Sequence, residues 1–263
     1  MTNTVEAQEG SSAPLYVVNA AARLQVTPAF ILPTNALAHA TIEFDKIIER
    51  FIEFDVNIAD LLGMRNLSAF VGELYASLVA KSLSPMFRKN PHQDGYPDLL
   101  LMDQNGEALW KELSGRLQDK RPFSPFAGSG VEVKATCGTT PTPTVLAKRG
   151  LTKPKIGDQR INVLTGYDWK AHHQETNNLL GLFWDFINGK PKIIAVFFSH
   201  ELTASDWGAI IKPKDGGGRT TSVSIMTRAG VRKMYNGWAI MLRDDACRSF
   251  FARYNNAPLA FPA

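Results

Sequence analysis

Two apolar runs constrain this chain more than any other feature. LLGLFWDFI (179–187) and KIIAVFFSHEL (192–202) are short and rich in Ile, Val, Phe and Trp, residues that suit a pleated, buried surface. Asn188-Gly189-Lys190-Pro191 joins them, and Asn-Gly between two such runs is the strongest short-range hairpin signal. A strand pair is expected. A buried helix over 175–187 is the competing reading, because periodicity does not decide so short an apolar run.

Around this pair the texture is mixed. Residues 1–14 are polar and small and read as a frayed arm. Residues 36–62 are helical in pattern, with Ile47, Ile48, Phe51 and Ile52 on one face. A second helix is expected over 68–81, with Ser68 as its N-cap and Phe70, Leu74, Leu78 and Val79 as its stripe. PDLLLMD (97–103) reads as a strand turning at Asn105-Gly106 into a return strand, Glu107–Leu113. After an excursion over 114–129, GVEVKAT (130–136) is the next strand. Asp215-Gly216-Gly217-Gly218 reads as a loop, Thr227 as the cap of a short helix over 228–235, and 238–242 as a last strand. The expectation is one α/β (α+β) domain with a central mixed sheet flanked by helices. Its parts would be the helical stretch 36–62, a core over 66–200 and a C-terminal part over 201–263 for DNA contact or dimerisation.

Composition narrows the class. With 263 residues, 44% of them hydrophobic and 21% charged, the chain can bury a sizeable core and is neither disordered nor fibrous. Two cysteines 110 positions apart suggest a reducing compartment. The N-terminus has no basic and apolar secretory pattern, and no apolar run has membrane length, so a soluble, cytoplasmic protein is expected. Charge is uneven, −4 over residues 1–134 and +8 over 135–263. An acidic half with candidate metal ligands joined to a basic half suits an enzyme acting on phosphates.

The chemistry-bearing residues are Asp98, Glu132 and Lys134. Alternation along GVEVKAT puts Glu132 and Lys134 on one face, with Val131, Val133 and Ala135 on the other. Asp98 opens the neighbouring meander and could bring a second carboxylate to the same space. Two carboxylates with water positions suit Mg2+ shared with a substrate phosphate. The acid-x-Lys pattern is weak alone, since about 1.4 copies arise by chance. It occurs twice, as Glu132-Val133-Lys134 and as Asp168-Trp169-Lys170. The Pro-Asp entry upstream favours the first, and the second stays open.

Helix LSAFVGELYASLVAKSL, then PDLLLMD, then GVEVKAT together resemble the PD-(D/E)XK nuclease superfamily, in particular the type II restriction endonucleases, over roughly residues 66–200. The resemblance implies an α-β-β-β-α-β core and Mg2+-dependent hydrolysis of DNA, with Mn2+ as a substitute, leaving 5′-phosphate and 3′-hydroxyl ends. It assigns metal binding to Asp98 and Glu132 and the task of serving the attacking water to Lys134, and it puts Glu73 where many members carry a helix glutamate. A palindromic site on double-stranded DNA would call for a homodimer. Candidate DNA contacts are Lys148, Arg149, Lys153, Lys155, His172, His173, Gln174, Asn177, Arg219 and Thr220. Two other readings compete: a structure-specific nuclease of the same superfamily, and a non-catalytic DNA-binding protein.

Overall fold

The computed structural model describes residues 15–54, 56–92, 95–119, 130–172, 174–213 and 222–259. Three short strands come first: β1 (Tyr16–Val18), β2 (Leu24–Thr27) and β3 (Phe30–Leu32). Helices α1 (Thr34–Glu53), α2 (Ile58–Leu61) and α3 (Met64–Ser82) follow. Strands β4 (Phe87–Lys89) and β5 (Leu99–Leu101) lead into helix α4 (Gln104–Ser114) and strand β6 (Gly130–Thr136). Helix α5 (Pro143–Lys148) and strand β7 (Lys170–Ala171) lie in the connection to the long pair β8 (Leu179–Ile187) and β9 (Lys190–Ser199). The chain ends in β10 (Ser224–Ile225), α6 (Arg228–Asn236), β11 (Trp238–Leu242) and α7 (Asp245–Asn255).

Seven strands form one mixed sheet in the order β1-β11-β9-β8-β6-β5-β4. β6 and β8 run parallel, and the other neighbours are antiparallel. The expected hairpin is its centre. Asn188 and Gly189 both have positive φ, 52° and 78°, which makes the two-residue turn whose twist matches its strands. Leu182, Phe183, Trp184, Phe186, Ile194, Val196 and Phe197 have no exposed surface. These strands are covered on both faces, which is why their sequences are continuous apolar runs.

The covering helices lie on opposite sides. A methyl group at Gly72 of α3 would lie 3.8 Å from the Ala135 Cβ, so α3 packs on the Ala135 face of β6. Gly181, paired with Lys134, has Met234 of α6 where its Cβ would point. Adjacent residues of a strand face opposite ways, so α6 covers the other face. Asp185 on β8 ties down the β6–β8 connection, accepting the N–H groups of Arg160, Ile161 and Phe186.

Several sequence expectations are corrected. Asn105-Gly106 makes no hairpin, and 107–113 is no strand; both lie in α4. The Asp103 side chain accepts the Gly106 N–H at 2.8 Å as an N-cap, which satisfies a free helix donor. Gly106 is needed for close approach, because a Cβ there would lie 1.7 Å from the Leu101 carbonyl oxygen. Ser68 is not a cap. α3 begins at Met64 behind Gly63, and the Ser68 hydroxyl accepts the Trp184 indole N–H at 3.2 Å. The 36–62 stretch is broken: α1 ends at Glu53, and Asn57 in extended conformation caps the separate α2 through the Ala59 N–H. The Thr227-capped helix and the strand at 238–242 form as expected. Helix α7 and strands β1 to β3 were not foreseen. Among the described residues no helix is long and apolar enough to cross a membrane, and both cysteines are free thiols.

Candidate active site

Sheet register assembles the three candidate residues. β5 and β6 pair with Leu99 opposite Val131 and Leu100 opposite Gly130, and continuing that register sets Asp98 opposite Glu132. The Asp98 N–H donates to Glu132 Oε2 at 3.2 Å, and the Val133 N–H donates to Asp98 Oδ2 at 2.7 Å. Lys134 Nζ lies 3.7 Å from Asp98 Oδ2 and forms an ion pair with Glu132 Oε1. Each carboxylate is held by the backbone of the other strand, so two rigid strands set the geometry. The alternation expected along GVEVKAT is present.

Burial separates the three roles. Glu132 is wholly enclosed, whereas the side chains of Asp98 and Lys134 keep 24% and 23% of their surface exposed. Burial pushes the Asp98 carboxyl up to about 7; the Lys134 ammonium opposes this, and the Glu132 charge adds to it. For Lys134 burial favours the neutral amine, but Asp98 and Glu132 outweigh it and the pKa rises. Lys134 is therefore a firmly protonated donor, able to orient a water or balance negative charge.

Asp98 and Lys134 open into a cleft of about 800 Å3 between α3 and the β7–β10 ribbon. Small α3 residues, Ser68, Ala69, Gly72 and Ala76, line much of it. Glu73 lines it too, 59% exposed and ion-paired with Lys89 of β4. Its charge adds to the upward pressure on Asp98.

The donor set fits a hard cation. Among the described residues no three His, Cys, Asp or Glu side chains gather as a metal cage. Mg2+ does not need one, since it takes one or two carboxylates and fills its shell with water and phosphate. Glu132 Oε1 is sealed from solvent and meets the Lys134 ammonium and no other donor among the described residues. That leaves it lone-pair capacity for an ion.

The remaining candidates scatter. His172 lines the cleft, with Nδ1 2.8 Å from the Ser222 carbonyl oxygen. Lys170 of the rival motif lines it as well. Its partner Asp168 is half-buried, its pKa raised by burial and lowered in part by Lys170. The Gln174 amide is spent inside the fold on the Gly208 carbonyl, and the Asn177 side chain accepts the Asn178 N–H. Lys148, Arg149, Lys153 and Lys155 are exposed on α5 and the loop after it and do not line the cleft. His173, Arg219 and Thr220 lie outside the described residues. Arg65 was missed, although it lines the cleft. The signal was available: 65, 68/69, 72/73 and 76 recur at helical spacing, so tracing the face of Glu73 backward reaches it. Comparisons of the chain with protein-family models, with curated proteins and with solved structures find no match.

Proposed function

We propose that this protein is a Mg2+-dependent, sequence-specific endonuclease for double-stranded DNA, of the PD-(D/E)XK type. One observation carries the reading: Asp98 and Glu132, 34 positions apart, interlock across two strands with Lys134 between them at the wall of an open cleft. The element order α3, β4, β5, β6, α5, β8 supports it, running helix, three strands, helix, strand as the resemblance implies, with α4 and the two-residue β7 inserted.

Asp98 and Glu132 would hold the cation. When bound, the cation supplies Lewis-acid polarisation of the phosphoryl oxygen and a more acidic water. Asp98, the partly exposed carboxylate, faces the substrate side. Glu132 is fixed from below by the Asp98 N–H and keeps the Lys134 ammonium in place. Lys134 donates hydrogen bonds that aim the attacking water in line with the phosphorus and balance charge on the phosphoryl oxygens. Water attack then breaks the P–O3′ bond, and the 3′ oxygen leaves with a proton to give 5′-phosphate and 3′-hydroxyl ends. A palindromic target would be cut by a homodimer, one cleft per strand.

The test is incubation with phage and plasmid DNA in Mg2+, with an EDTA control. Discrete fragments that vanish in EDTA are expected. Cutting confined to branched or damaged DNA would replace sequence specificity with structural specificity. DNA binding without cutting in either Mg2+ or Mn2+ would overturn the nuclease reading.

A further inference from the structure

The triad and its neighbours largely cancel one another's charge. Lys134 is met by Glu132 and Asp98, and Glu73 is met by Lys89. Two cations lining the same cleft stand outside any ion pair among the described residues, with Lys170 coupled through space to the half-buried Asp168 carboxyl. Arg65 enters from the first turn of α3 and Lys170 from β7; both are exposed, and neither forms an ion pair among the described residues. Between them the α3 wall is built of Ser68, Ala69, Gly72 and Ala76. Glu73 also stands on this wall, drawn to Lys89; at Gly72 a methyl group would meet only the Ala135 Cβ, at 3.8 Å, so at that point no side chain keeps a ligand backbone away.

Building on the nuclease reading, we propose that Arg65 and Lys170 are positioning residues that hold the non-scissile phosphates of the DNA strand along this small-residue track. Cations that stand in no ion pair attract a polyanion into a cleft at no cost in broken ion pairs. The Arg65 fork suits two oxygens of one phosphate, and Lys170 acts as a point charge. Contacts of this kind set register and affinity and carry no sequence information. Lys170 thus belongs to the site as a substrate-holding residue, not as the lysine of a second catalytic motif.

The experiment measures binding of a fluorescein-labelled mixed-sequence duplex in Ca2+, by anisotropy, between about 50 and 200 mM salt. Single-turnover cleavage of plasmid DNA in Mg2+ is followed in parallel. Arg65→Ala and Lys170→Ala should each reduce the slope of log K against log salt by about 0.9, one phosphate contact apiece. Each should raise the half-saturating DNA concentration about tenfold, leaving the saturated cleavage rate within about twofold. Lys170→Arg should restore the slope, Gly72→Leu should fill the track and weaken binding, and Lys46→Ala, on the exposed surface of α1, should change neither readout. If the wild type cuts DNA and the Arg65→Ala/Lys170→Ala double variant keeps the wild-type slope and half-saturation, the phosphate grip is overturned and the nuclease reading stands. If the wild type binds without cutting and the slope falls in both variants, the grip stands and the nuclease reading fails. A wild type that neither binds nor cuts ends both.

Discussion

The acid-x-Lys pattern occurs twice, inside β6 and at the entry to β7, and the fold treats the two differently. On β6, Glu132 lies deep in the sheet bonded to Lys134, whose side chain reaches the cleft, with Asp98 delivered across the β5–β6 ladder. Around β7, Lys170 stands exposed at the cleft, and Asp168 is half-buried with no ion pair among the described residues. Among the described residues β7 pairs with β10 alone, a two-residue ribbon that brings it no second carboxylate. Two residues of spacing place an acid and a lysine on one side of a strand. A third group from an adjacent strand joins the pair at β6, and among the described residues none joins the pair at β7.

The largest expected difference is catalytic. Lys134→Ala, Glu132→Ala and Asp98→Ala should each lower DNA cleavage by at least about a hundredfold, with specific binding surviving in Lys134→Ala. Wild-type rates in Glu132→Ala would sink the assignment. A dead Lys170→Ala alongside an active Lys134→Ala would move the site to β7.

Next comes metal affinity. With Asp98 up near 7, protons compete with the cation for this carboxylate over the neutral range. The Mg2+ concentration for half-maximal cleavage should rise about tenfold per unit as the pH falls below about 7, and Asp168→Asn should leave that dependence unchanged. A flat profile would show that Asp98 does not hold the ion.

The smallest effect is on stability. A carboxyl whose pKa is higher in the folded chain than its ordinary 3.8 binds its proton more tightly when folded. Its contribution is full below about pH 4 and is lost as the pH rises through about 7. Asp98→Asn removes that loss and should raise Tm at pH 8 by a few degrees relative to the wild type, as site residues often trade stability for function. An unchanged or lower Tm at pH 8, measured by calorimetry, would mean that its ion pair with Lys134 outweighs the burial.

Asn-Gly shows how far such patterns could be read. At 188–189 the dipeptide sits between two long apolar runs that must pair to be buried, and it turns with both φ values positive. At 105–106 the upstream strand is three residues long, and Asp103 is placed to cap whatever follows, so a helix forms instead. The dipeptide permits a tight turn without requiring one. The partial charges left at a helix start are local too, but the competition between the two outcomes is decided by what the flanking residues can bury. The same limit applied to Gln174: its polar side chain was legible, but not the Gly208 carbonyl, 34 positions away, to which it donates.

The side-by-side placement of Glu132 and Lys134, the apolar centre of the sheet and the 188–189 turn were all readable from residue order, because strand alternation and turn conformation depend on bonds between near neighbours. The arrival of Asp98 beside them, the burial that drives its carboxyl upward and the presence of Arg65 and Lys170 in one cleft were not. Each depends on strand register or on how α3 and β7 pack around β6, and those follow from pairing segments far apart in the chain, where local preference has no say.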